Sequence, residues 1–135
     1  MSSYLTFYAR SKDEGSKPIS LVSYSRNNEI YQQFNDTIHP VYIGNSDECQ
    51  YTKLTVEQVD SVIKEIESEL QKARSRLKEY DKHASGNMDM VECIIEQKEY
   101  IEDLEYTLHR TMFIRELVSD SSYSWSKHEI LCNID

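Results

Sequence analysis

The sequence predicts an α+β protein. It should have a small N-terminal antiparallel sheet of three to four strands with one short helix, then a long antiparallel helical hairpin of coiled-coil type, and a C-terminal strand or tail. Three observations predict this fold: a heptad repeat after residue 54, a second helical stretch over about 87–118, and short alternating segments rich in aromatic residues before residue 54. The chain of 135 residues is predicted to be one domain. It divides into a sheet-rich region (1–53), the hairpin (54–118) and a Ser-rich loop with a C-terminal strand (119–135).

The sheet-rich region contains segments typical of strands because apolar and aromatic residues alternate with polar ones. Ser25 is a predicted N-cap for the short helix, in which Ile30 and Phe34 lie four apart and share one face. The predicted elements are a strand over 3–10, a strand over 19–24, a helix from Arg26 to about Phe34, a short strand over 41–43 and an extended stretch over 50–53.

The first long helix is predicted from apolar residues spaced alternately three and four apart, which is the seam of a coiled coil. Thr55 and Gln58 predict a capping box at its start, and Gly86 suits its end. The seam residues are Val56, Val59, Ile63, Ile66, Leu70, Ala73, Leu77 and Tyr80.

The second long helix has a less regular pattern. Asn87 is its predicted N-cap, and Gln97 interrupts an apolar series made of Met90, Ile94, Ile101, Leu104 and Leu108. From Met112 to Val118 the apolar face widens, so we expect the N-terminal region to pack there. Both helices begin acidic and end basic, which favours antiparallel pairing; acidic residues near Asp60 should then face Arg110 and Arg115.

The C-terminal segment begins with a loop containing five serines in eight residues, 119–126. We expect Trp125 to anchor this loop on the core. Residues 128–134 alternate again and are predicted to return to the N-terminal sheet as a strand.

The composition narrows the functional classes. The net charge is −9, which argues against direct nucleic-acid binding and suits a basic protein partner. Three scattered cysteines, Cys49, Cys93 and Cys132, fit a reducing compartment better than a disulfide framework or a zinc site. There is no apolar run long enough for a bilayer and no signal-peptide core, so we expect a cytoplasmic protein with no membrane contact.

No catalytic motif, metal-ligand spacing or cofactor fingerprint occurs in the sequence, which predicts a non-enzymatic protein without metal or cofactor. The first hypothesis is therefore a protein–protein interaction or assembly protein that acts through its acidic hairpin, as an inhibitor of a basic-grooved partner or as a homo-oligomer. Small size and acidity are also compatible with a phage origin. The predicted interface residues are Val62, Val91, Ile95, Glu96, Tyr100 and Tyr106.

A second hypothesis is a module that binds or sequesters a nucleotide or another anion. Free N–H groups at the start of a helix, together with a nearby arginine, can hold a phosphate or carboxylate. Six of the ten tyrosines also fall in the first 51 residues, where they suit either packing or a binding surface. The predicted ligand-binding residues are Arg10, Tyr24, Arg26 and Asn27.

Overall fold

The structure, a computed structural model, describes residues 4–26, 28–37, 42–43, 51–83 and 88–134. These ranges form an α+β fold, as the sequence predicts. In chain order the elements are β1 (Tyr4–Ser11), β2 (Ile19–Ser25), α1 (Glu29–Thr37), β3 (Tyr42–Ile43), β4 (Tyr51–Lys53), α2 (Val56–Lys82), α3 (Met88–Ser121) and β5 (His128–Ile134).

The sheet has the strand order β2-β1-β5-β4-β3, with antiparallel pairing throughout. The C-terminal strand β5 lies in its centre, which confirms that this segment returns to the N-terminal strands. Leu5 and Phe7 of β1 are buried in the core, and Phe7 meets Phe34 of α1 edge-to-face at 5.2 Å between ring centroids. The pairing register shifts at one point between β1 and β2, where Leu21 is the extra residue of a bulge.

Helix α1 begins later than predicted, at Glu29 instead of Arg26. Ser25 is not its N-cap because Ser25 is the last residue of β2, where it pairs with Tyr4. The cap is Asn28, whose Oδ1 accepts the Ile30 N–H at 3.1 Å. The predicted Asn27 contact lies outside the described residues.

Helix α2 and its start confirm the sequence analysis. The Gln58 N–H donates to the Thr55 hydroxyl at 3.2 Å, and the Thr55 N–H donates to the Gln58 side chain at 3.0 Å, which completes the capping box. Gly86 and Asn87, the predicted bend and cap, lie outside the described residues. Across the hairpin, Arg115 Nε donates to Asp60 Oδ1 at 2.5 Å, as antiparallel pairing requires.

Two predictions about residues of α2 and α3 are wrong. Val62 is fully buried, since α1 packs on α2 and Val62 shares a core cluster with Ile30 and Phe34; it is not available to another chain. Gln97 does not interrupt the seam but is buried within it. Its side-chain amide has a hydrogen-bond partner on the other helix, because Nε2 donates to the Ala73 carbonyl at 2.9 Å.

The broad face expected after Met112 is only half covered. Ile114 and Val118 are buried, but Met112 is 49% exposed, and Phe113 is 62% exposed because it borders an open groove between α3 and the sheet. Trp125 is also misassigned, since it is 70% exposed and stacks on Tyr123 with centroids 5.9 Å apart instead of entering the core. Neither long helix, over its described length, carries an apolar stretch that could cross a bilayer.

Candidate functional site

The predicted ligand-binding residues are not brought together. Tyr24 pairs with Leu5, so these two side chains lie on the same face of the sheet. Side chains alternate between the two faces along β1, and Arg10 is an odd number of residues beyond Leu5, so Arg10 lies on the opposite face. Arg10 binds Glu129 through Nε at 2.9 Å and Nη2 at 2.6 Å. Arg26 is exposed in the turn before α1. No common anion site therefore arises from the described members of the set.

Tyr24 instead contacts Arg110, a residue of α3. Arg110 Nη1 donates to the Tyr24 hydroxyl at 2.7 Å, and Nη2 donates to the Tyr106 hydroxyl. The guanidinium also lies over both rings, with its carbon 5.4 Å from the Tyr24 centroid and 4.4 Å from the Tyr106 centroid. The hydrogen bond to Tyr24 and then that to Tyr106 raise the pKa of Arg110 above its usual value, so the group stays cationic.

A groove of about 820 Å³ opens beside this cluster, between the core face of β1, β2 and β5 and the second half of α3. Most of its lining is apolar, which is typical of ligand pockets of this size. Arg110 lies at one end, and Asp120 with His128 lies at the other. The apolar lining includes Ala9, Leu21, Val22, Phe113, Leu117 and Ile130.

A second candidate surface is the outer face of α3 in its first half. Met88 is 78% exposed and Ile95 is 52% exposed, and Val91 lies between them on the same face. Residues 88–105 contain seven acidic residues and one lysine. Five exposed members of this set form no ion pair within the described part of the chain: Glu92, Glu96, Glu99, Glu102 and Asp103.

Apart from Val62, which is buried, the predicted interface residues divide into two groups. Val91, Ile95, Glu96 and Tyr106 are exposed on α3. Tyr100 is half-buried, and its hydroxyl donates to Glu69 of α2 at 3.3 Å. The exposed members of the predicted interface therefore all lie on α3. The sequence alone did not indicate that α3, and not α2, presents the exposed apolar residues.

The described residues contain no cluster of His, Cys, Asp or Glu that could hold a metal ion. Burial raises the pKa of the Cys132 thiol to about 12, so this cysteine is protonated and unsuited to act as a nucleophile. Cys93 is exposed on α3, and Cys49 lies outside the described residues.

Sequence reasoning placed Arg110 opposite acidic residues of α2, whereas its hydrogen-bond partners are Tyr24 and Tyr106, and it did not identify the groove. One signal was visible, since Tyr106 and Arg110 are four residues apart and must meet on a helix. The chain matches no protein-family model, no curated protein and no solved structure.

Proposed function

We propose that the protein is a non-enzymatic interaction protein that binds a basic protein surface through the outer face of α3. The observation that carries this proposal is the combination on one helix of three exposed apolar side chains, Met88, Val91 and Ile95, with neighbouring carboxylates that form no ion pair in the described chain. These carboxylates are those of Glu92, Glu96 and Glu99. Apolar side chains supply burial at the centre of an interface, and charges at its rim select the partner and speed association.

The charge of this surface favours a basic partner over a second copy of the chain. Two copies that meet through the first half of α3 would bring like charges together, with seven acidic residues and one lysine on each side. The nearest arginines on α3 are already engaged, Arg115 by Asp60 and Arg110 by two tyrosines. Homo-oligomerisation through the helices stays a prediction, and light scattering tests it directly.

The test compares two variants that change the net charge equally. One reverses Glu92, Glu96 and Glu99 to lysine on α3, and the other reverses Glu65, Glu67 and Asp81, which are exposed on α2 and form no ion pair in the described chain. A partner captured from the native host is purified and titrated against each variant by calorimetry. The α3 reversal should weaken binding by at least about tenfold, because each lost attraction becomes a repulsion, and the α2 reversal should change it little.

An apolar variant completes the test. Val91→Ser with Ile95→Ser keeps every charge and should weaken binding mainly through faster dissociation. If both charge variants lose the partner equally, the recognition is non-specific and the proposal fails. If the α3 reversal retains full affinity, α3 is not the interface.

A further inference from the structure

The groove beside α3 carries an inference that is independent of the basic partner. Its volume of about 820 Å³ falls within the roughly 300–1,000 Å³ of small-molecule sites. Its floor is apolar, formed by core-face side chains such as Ala9, Val22 and Ile130. An occupant must therefore be largely apolar.

Arg110 determines the charge of that occupant. It forms no ion pair with a carboxylate in the described chain, whereas Arg10, Arg74 and Arg115 each do. The tyrosine hydroxyls that hold it are neutral, and they use two of the five N–H groups of a guanidinium. A fixed, half-buried cation with unused donors at the edge of an apolar groove is complementary to an anionic head group.

The far end of the groove, where Asp120 lies with His128, suits an anionic group less well than the Arg110 end does. Asp120 lies ten residues beyond Arg110 on α3, or about 15 Å at the rise of an α-helix. Its carboxylate would repel a second anionic group at that end. Phe113 and Leu117 lie between the two ends and offer contacts to an apolar chain.

We propose that this groove binds a long-chain carboxylate, a free fatty acid, with its head group on Arg110 and its chain along Phe113 and Leu117 toward Asp120. An extended peptide added to the edge of β2 is a weaker fit. The groove lies over the core face of the sheet and not beyond the outer edge of β2, so its lining offers little backbone pairing.

Calorimetric titration with dodecanoate, below its micelle concentration, tests the proposal on the whole chain. Dodecyltrimethylammonium and dodecanol have the same chain length and serve as cationic and neutral comparisons. We expect saturable binding of one dodecanoate, weaker binding of dodecanol and no saturable binding of the ammonium compound. Arg110→Met should weaken dodecanoate about ten- to a hundredfold, the effect of losing a charged hydrogen bond, and Arg110→Lys should restore part of it.

Two further variants keep the test decisive. Arg26→Met removes an exposed arginine away from the groove and should leave binding unchanged. Ala9→Phe places a large side chain in the groove and keeps Arg110 itself, and it should abolish binding even if Arg110→Met folds poorly. Three results would overturn the proposal. Dodecanoate shows no saturable binding, the ammonium compound binds equally well, or Arg110→Met and Arg26→Met weaken dodecanoate binding equally. Binding of an alternating valine–threonine peptide in place of dodecanoate would assign the groove to a peptide instead.

Discussion

Replacing Gln97 by leucine should stabilise the protein, although it removes a buried hydrogen bond. Gln97 is buried in the hairpin seam and donates to the Ala73 carbonyl at 2.9 Å. That hydrogen bond contributes about 0.5–1.5 kcal/mol to the free energy of unfolding. Ala73 lies inside α2, where its carbonyl also accepts the helical N–H from four residues further along, so it is not left unsatisfied.

A buried leucine side chain contributes about 1.5–3 kcal/mol, so Gln97→Leu should raise the free energy of unfolding by about 1 kcal/mol. Gln97→Ala loses the same hydrogen bond and leaves a cavity, so it should lower the free energy of unfolding by about 2 kcal/mol. Gln71→Leu is the matched control. Gln71 is exposed on α2, and its replacement should change stability by less than about 0.5 kcal/mol.

Urea denaturation followed by circular dichroism measures these differences. At a slope of about 2 kcal/mol per molar urea, the Gln97→Leu midpoint should rise by about 0.5 M with an unchanged slope. Repeating the transition at two protein concentrations excludes a new oligomer formed through the wholly apolar seam. If Gln97→Leu is as unstable as Gln97→Ala, the hydrogen bond outweighs apolar burial at this position, contrary to the expected stabilisation.

Two smaller predictions concern the helix cap and a buried thiol. Thr55→Ala should lower the free energy of unfolding by about 1 kcal/mol in urea denaturation, while Thr55→Ser, which keeps the bond from the Gln58 N–H, should cost little. Burial raises the pKa of Cys132 from 9.0 to about 12, so the folded chain holds this proton more tightly than the unfolded chain. The contribution of this group to stability is therefore full below pH 9 and falls as the pH rises. Between pH 8 and 10 the wild type should lose roughly 1 kcal/mol more than Cys132→Ala, and equal losses would contradict this.

The first long helix was predictable because its signals are local. The capping box needs only Thr55 and Gln58, and Val59, Ile66 and Leu70 repeat at heptad spacing and are buried as expected. The alternation of β5 likewise predicted a strand. Its position at the centre of the sheet was not predictable, because a single sequence does not contain its pairing with β1.

The second long helix was harder to predict because its seam is partly polar. Gln97, Thr107 and Thr111 are buried, while Phe113 is exposed. The threonine hydroxyls donate to carbonyls one turn back, at 2.8 Å to Asp103 and 2.7 Å to Thr107, so these side chains can be buried without a partner on another element. A pattern of apolar residues in the sequence does not predict that these polar residues are buried.

The candidate sites depend on contacts between distant parts of the chain. Tyr24 and Arg110 are 86 residues apart in sequence, and no local pattern indicates that they meet. The predicted anion site failed because each arginine was assigned from its neighbours in sequence. In the structure, Glu129 engages Arg10 from the far end of the chain.

The two surfaces of α3 should respond to salt in opposite directions, which separates the two proposals experimentally. A chain of net charge −9 attracts a basic partner over long range, so added salt should slow that association and weaken binding at Glu92 and Glu96. The same field repels a free carboxylate before it reaches Arg110, so salt should speed the association of dodecanoate. Its affinity should not fall with salt, because the bound state depends on apolar burial and on a short-range contact with Arg110. A basic partner that binds more tightly in salt would contradict the charge-based role of α3, whereas dodecanoate affinity that falls steeply with salt would place that anion on an exposed cation outside the groove.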